Sequence, residues 1–220
     1  MKIVFPLLDK PIQIYTDKIN VLTIENKKEF YRFVTNLYNQ FNKGDGPIVM
    51  SKNDIIIDFS KHADFLYQLI PFDINKKTMV NKLHTSLCNA VNSDFYKEWC
   101  QLQSDIERFI LDIGDVNDCN VTNDLLTIPL LLKAVNLRFS NDYDTLCDAI
   151  IDYFLNVLCL EGDKLFVVLN LREFISDDEY TEFKKTVIGH KIKVLLISSN
   201  CYPAYQDENV TTIDEDLCVI

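Results

Sequence analysis

Three histidines, His62, His84 and His190, have no mutual spacing that would build a metal site or a catalytic triad. A nucleophile elbow would need Gly-x-Ser-x-Gly. A phosphate loop needs glycines followed by Lys-Ser/Thr, so that backbone N–H groups and one cation cradle the phosphates. Neither pattern occurs. Gly44-Asp45-Gly46-Pro47 is the only glycine cluster; it lacks the lysine and reads as a turn. Five glycines in 220 residues leave little backbone for a cradle. The seven cysteines, Cys88, Cys100, Cys119, Cys147, Cys159, Cys201 and Cys218, include no Cys-x-x-Cys pair, and none has a histidine at zinc-ligand spacing. Most sit among apolar neighbours, where cysteine serves as a small hydrophobe. The chain is therefore expected not to be an enzyme and to need no nucleotide.

Binding chemistry is better represented. Asp112, Asp115, Asn117, Asp118, Asn120 and Asp124 offer hard oxygen ligands of the kind calcium takes. The run does not match an EF-hand loop, because Cys119 falls where a ligand is needed and no bidentate glutamate closes it. A solvated acidic loop is the plainer reading. Lys76, Lys77 and Lys82 stand at the start of one helical segment, and Lys97, Gln101, Ser104 and Arg108 form a polar face on the next. Cations so placed meet phosphates without reading bases, which gives sequence-independent, salt-sensitive binding. Glu98, Asp105 and Glu107 nearby make an ordinary solvated face the competing reading.

These residues need a scaffold, and the composition supplies one. Hydrophobic residues make up 48% of the chain, enough for a real core. The net charge of -11 argues against a nucleic-acid surface spread over the whole molecule, but not against one concentrated strip. An odd cysteine count and the lack of a secretory leader predict a reduced, cytoplasmic protein. The longest apolar run, 125–132, contains Pro129 and is far too short to span a bilayer.

Strands are predicted at 2–5, 12–15, 20–24, 47–50 and 54–59, with a helix at 27–41 on Phe30, Phe33, Val34, Leu37 and Phe41. A helix over 80–91 ends at Asn92-Ser93-Asp94, where Ser93 is a plausible cap for the next one. That next helix has the clearest pattern in the chain: Phe95, Trp99, Leu102, Ile106, Phe109 and Ile113 form a heptad seam. Helices resume at 123–135 and 142–160. Continuous apolar runs at 165–169 and 192–197 read as strands covered on both faces. Between them Ser176-Asp177-Asp178-Glu179 fits a capping box, so this stretch is a β-α-β unit with parallel strands. The expected fold is an α/β body from 1–62 and 161–220, with an α-helical domain, 63–160, inserted in it.

Three segments carry a resemblance. Phe5-Pro6-Leu7-Leu8-Asp9-Lys10-Pro11-Ile12, Asp73-Ile74-Asn75-Lys76-Lys77-Thr78 continuing to Leu83-His84, and Ile213-Asp214-Glu215-Asp216-Leu217 occur in matching order. They resemble the ring-forming, DNA-end-binding CRISPR-associated adaptation protein of type II-A systems. The resemblance implies a body related to phosphate-loop nucleotidases without established nucleotide hydrolysis. It also implies a homotetrameric ring that threads linear double-stranded DNA during spacer acquisition, alongside the CRISPR integrase complex and the RNA-guided nuclease. Lys76, Lys77, Lys82, Lys97 and Arg108 are then the DNA-contact candidates, and an acidic chain must gather its cations on the lumen. Relatives bind calcium where body and helical domain join, which makes Asp118 and Asp124 metal candidates. Leu130 replaces a ligand glutamate, and Asn120 and Thr122 replace acidic positions, so fewer carboxylates imply weaker calcium binding or none. A phosphate-loop-like enzyme and a protein-only scaffold remain as alternatives.

Overall fold

The computed structural model describes residues 1–8, 10–116 and 121–220, and its fold is α/β as expected. The chain forms two compact units, Met1–Phe72 with Asp142–Ile220, and Asp73–Asn141. In the first, β1 (Lys2–Val4), β2 (Ile12–Gln13), β4 (Val49–Lys52) and β5 (Ile55–Ile57) make an antiparallel sheet in the order β2-β1-β4-β5. A second sheet holds β3 (Ile19–Ile24), β6 (Ala63–Leu66), β7 (Leu165–Leu169), β8 (Lys193–Ser198) and β9 (Glu208–Ile213). Its order is β6-β7-β8-β3-β9, and every neighbouring pair is parallel. β7 and β8 are the buried apolar strands that the sequence predicts, joined through α7 (Asp177–Gly189).

Helix α1 (Lys27–Lys43) follows β3 after only Glu25 and Asn26; Asn26 Oδ1 accepts from the Glu29 N–H at 3.2 Å and caps the helix. Gly44, at φ 85°, ends it in the left-handed conformation that glycine adopts without steric cost. A Cβ at Gly46 would strike the Gln40 side chain, which clamps both the N–H and the carbonyl of Ile48. The glycine cluster is thus a helix stop with a close approach. Phe5 packs on Phe33 with ring centroids 4.5 Å apart, so the first resembling segment is anchored in the core. The last one is held by its backbone. Asp214 Oδ1 accepts from the N–H groups of Asp216 and Cys218, and the Glu215 carbonyl accepts from Asn26 Nδ2 at 3.0 Å.

Several boundaries differ from the sequence reading. Residues 63–66 are an edge strand of the parallel sheet, and α6 (Leu146–Glu161) belongs to the first unit, where Phe154 stacks on Phe166 at 4.1 Å. The helical unit therefore runs over Asp73–Asn141, not 63–160. Asp64, in the middle of β6, interrupts the apolar pattern because it accepts from Tyr153 Oη on α6. Phe59–His62 is a short helix, α2, with Asp58 Oδ1 accepting from the Ser60 N–H at 2.9 Å, so the strand stops before it. β9 is unannounced in the sequence, its polar Asn209, Thr211 and Thr212 masking an edge strand.

The second unit comprises α3 (Lys77–Asp94), α4 (Tyr96–Val116) and α5 (Ile128–Ala134). Ser93 does not cap α4; it lies in the last turn of α3, its Oγ 3.2 Å from the Ala90 carbonyl. α5 is shorter than the predicted 123–135. Thr127 is extended and Pro129 occupies the first turn, the helical position that tolerates a missing N–H. α3 packs against α4 and α5. Asn75 accepts from the Phe139 N–H at 2.9 Å and donates to its carbonyl at 3.1 Å, and His84 Nε2 lies 2.8 Å from the Leu137 carbonyl.

Candidate nucleic-acid interface

All five cations singled out in the sequence lie in the helical unit, and all are exposed. Lys76, Lys77 and Lys82 cluster at the start of α3, while Lys97 and Arg108 are on α4. The two groups have different surroundings. α3 opens with no side-chain cap and no carboxylate in its first turn, so the positive end of its dipole adds to the lysines. On α4, Arg108 pairs with Asp105 at 3.0 Å, and Gln101 donates to the same carboxylate at 3.2 Å. Lys97 shares a shallow cavity of about 470 Å³ with Glu98, Gln101, Leu102 and Asp105. Sequence reasoning passed over Lys133 on α5 and Arg138 just after it, both exposed. The signal that finds them is the carboxylate-free run between Asp124 and Asp142.

The seam on α4 forms as a helical stripe that stays partly exposed among the described residues. Trp99 and Ile106 are half-buried, whereas Phe95 is 56% exposed, Leu102 42%, Phe109 64% and Ile113 45%. Contiguous apolar surface of this kind marks an interaction face.

Of the metal candidates, Asp118 lies outside the described residues. Asp124 is exposed in the segment before α5, and no group of three or more His, Cys, Asp or Glu side chains among the described residues could hold a metal ion. Asp124 alone does not fit a calcium cage. The strand-to-helix turn from β3 into α1 contains Glu25, the Asn26 cap and no glycine. At the carboxyl ends of β6 and β7, where open parallel sheets take ligands, a cavity of about 430 Å³ is lined by Tyr67, Gln68, Ile70, Asn170 and Phe174 among others, with no cation.

A dense polar cluster surrounds the β8–β9 connection. The Arg172 guanidinium lies 4.0 Å from the Tyr202 ring centre and 4.5 Å from that of Tyr180. Lys184 pairs with Asp207 at 2.6 Å, and buried Glu208 accepts from Tyr180 Oη and from the Tyr205 N–H. Burial, reinforced by Glu208, pushes the Tyr180 hydroxyl far above its ordinary range. Its polar groups are engaged with one another and with the tyrosine rings, so the cluster fastens a loop. No helix among the described residues is long and apolar enough to cross a membrane.

Against this geometry, two solved structures compare as follows. The crystal structure of Stu0660 of Streptococcus thermophilus matches at a TM-score of 0.60 and 16% identity, over 97% of this chain and 75% of that one, which is a likeness of fold. A putative ABC transporter ATP-binding protein from Pyrococcus furiosus matches at a TM-score of 0.41 and 14% identity, over 96% of this chain and 97% of that one, a likeness too slight to bear on function. The family model described as CRISPR-associated protein (Cas_Csn2) matches residues 40–217, which takes in the whole helical unit and most of the α/β unit. Membership supports a role in CRISPR adaptation, and the chain belongs to this CRISPR-associated Csn2 family.

Proposed function

We propose that the protein is a non-catalytic, cytoplasmic component of type II-A spacer acquisition. It self-associates into a homotetrameric ring and holds linear double-stranded DNA by its ends, working beside the CRISPR integrase complex and the RNA-guided nuclease. The observation that carries this reading is the partly exposed apolar seam of α4, in the same helical unit as an exposed cluster of cations. An apolar stripe spaced as a coiled-coil seam is stable in water only against another chain or a partner helix. A closed assembly of such chains holds a threaded duplex by topology, so its cations need only offset phosphates and need not read bases. The β3–α1 turn offers no glycine cradle and presents carboxylates, which disfavours a phosphate-loop enzyme.

The test combines light scattering with a mobility-shift assay on linear and covalently closed circular duplexes of equal length. A tetrameric mass and retardation of the linear form only is the expected result. A monomer that shifts neither form at low salt would overturn the ring and move the α4 seam to a protein-only scaffold.

A further inference from the structure

Resting on the DNA-end-binding reading, we infer that duplex phosphates meet the layer built by α3, α5 and the turn after α5. Lys133 and Arg138 are contacts there beside Lys76, Lys77 and Lys82, and the α4 cations Lys97 and Arg108 stand outside the contact. The deciding quantity is the charge carried along each element. No carboxylate occurs between Asp73 and Asp94, nor between Asp124 and Asp142. The fold brings these two acid-free runs together: α5 packs on α3, Asn75 clamps the backbone of Phe139, and His84 meets the Leu137 carbonyl. Arg138 sits between the two residues so held, one position from each, and Asn75 is next to Lys76. Lys76, Lys77, Lys82, Lys133 and Arg138 are all exposed.

Helix α4 has the opposite character. Glu98, Asp105, Glu107, Asp112 and Asp115 accompany its two cations. At physiological salt charges are felt over about 8 Å, so neighbouring carboxylates cancel the attraction of Lys97 and Arg108 for a phosphate. The sequence reading placed the contact across both helices because basic residues recur on both; the carboxylates decide between them.

Binding of a fluorescent linear duplex would be followed by anisotropy against salt for three full-length proteins: the wild type, Lys133→Ala with Arg138→Ala, and Lys97→Ala with Arg108→Ala. Each lost phosphate contact reduces the slope of log affinity against log salt by about 0.9. The α5 pair should therefore flatten the slope by about 2 for each subunit that contacts the duplex and weaken binding roughly tenfold or more near 0.1 M salt. The α4 pair should leave both within about twofold. All four positions are exposed, and unchanged far-ultraviolet dichroism checks the fold. An unaltered slope for the α5 pair, with DNA still bound by the wild type, overturns this assignment and leaves the ring reading standing. A wild type that binds no duplex overturns both.

Discussion

Asp163 accepts from Lys52 on β4 at 2.9 Å and also from Lys193 at the start of β8, so one carboxylate ties the two sheets together. Partial burial pushes its carboxyl upward, but the hydrogen bonds and charges of the two lysines outweigh that and hold it below its ordinary range. A lowered folded value means the stabilisation is present above the unfolded carboxylate value, near 4, and is lost as pH falls through the folded one. The side chain is 44% exposed, so solvent screening limits the contribution to about 0.5–1 kcal/mol. Asp163→Asn should lower unfolding stability in urea by that amount at pH 7, with the gap closing below about pH 4. A gap constant from pH 3 to 7 would assign the loss to something other than ionic pairing. None of this is visible in the sequence, where Lys52 and Asp163 lie 111 positions apart. The same limit hid Lys133 and Arg138. Residue type marks a cation, but only the fold tells which carboxylates surround it.

Local signals fared better when their chemistry closes within a few residues. Ser176 Oγ accepts from the Glu179 N–H at 3.3 Å, and the Glu179 carboxylate accepts from the Ser176 N–H at 2.7 Å, the reciprocal box that the spacing predicts. Ser176→Ala should cost about 1 kcal/mol and lower the melting temperature by about 2–4 °C. An unchanged melt would mean that α7 is held by its buried Tyr180, Phe183 and Val187 without help from the cap. Continuous apolar runs likewise announced β7 and β8, whereas β6 and β9 were obscured by polar residues with long-range roles. Asp64 serves α6, and Asn209 donates to the Gln13 carbonyl. Edge strands are the elements whose pattern is set least by themselves and most by what lies beside them.

The two-part plan was legible from the return of β-α-β signals near the end of the chain, but its seams were not. α6 is apolar and helical like an inserted element, and only its packing on Phe166 and on α7 assigns it to the α/β unit. The α4 seam was legible as a pattern while its occupant was not, because a heptad says that something packs there and not what. Phe109→Asp with Ile113→Asp should reduce the mass measured by light scattering below that of the wild type while preserving helix content. An identical mass for both proteins would remove α4 from the subunit contact.

The placement of β3 has a consequence for synthesis on the ribosome. This strand, within the first 24 residues, lies between β8 and β9 and pairs Asn20 with Leu195 and with Asn209. Both neighbours are made long after it, so the apolar strand Ile19–Ile24 waits unpaired until β8 and β9 have emerged. The helical unit is one uninterrupted stretch and faces no such delay. Folding is therefore expected to run from the middle of the chain outward. The parallel sheet, whose contacts span the greatest separations, closes last, and nascent chains are most exposed to aggregation before β8 and β9 emerge.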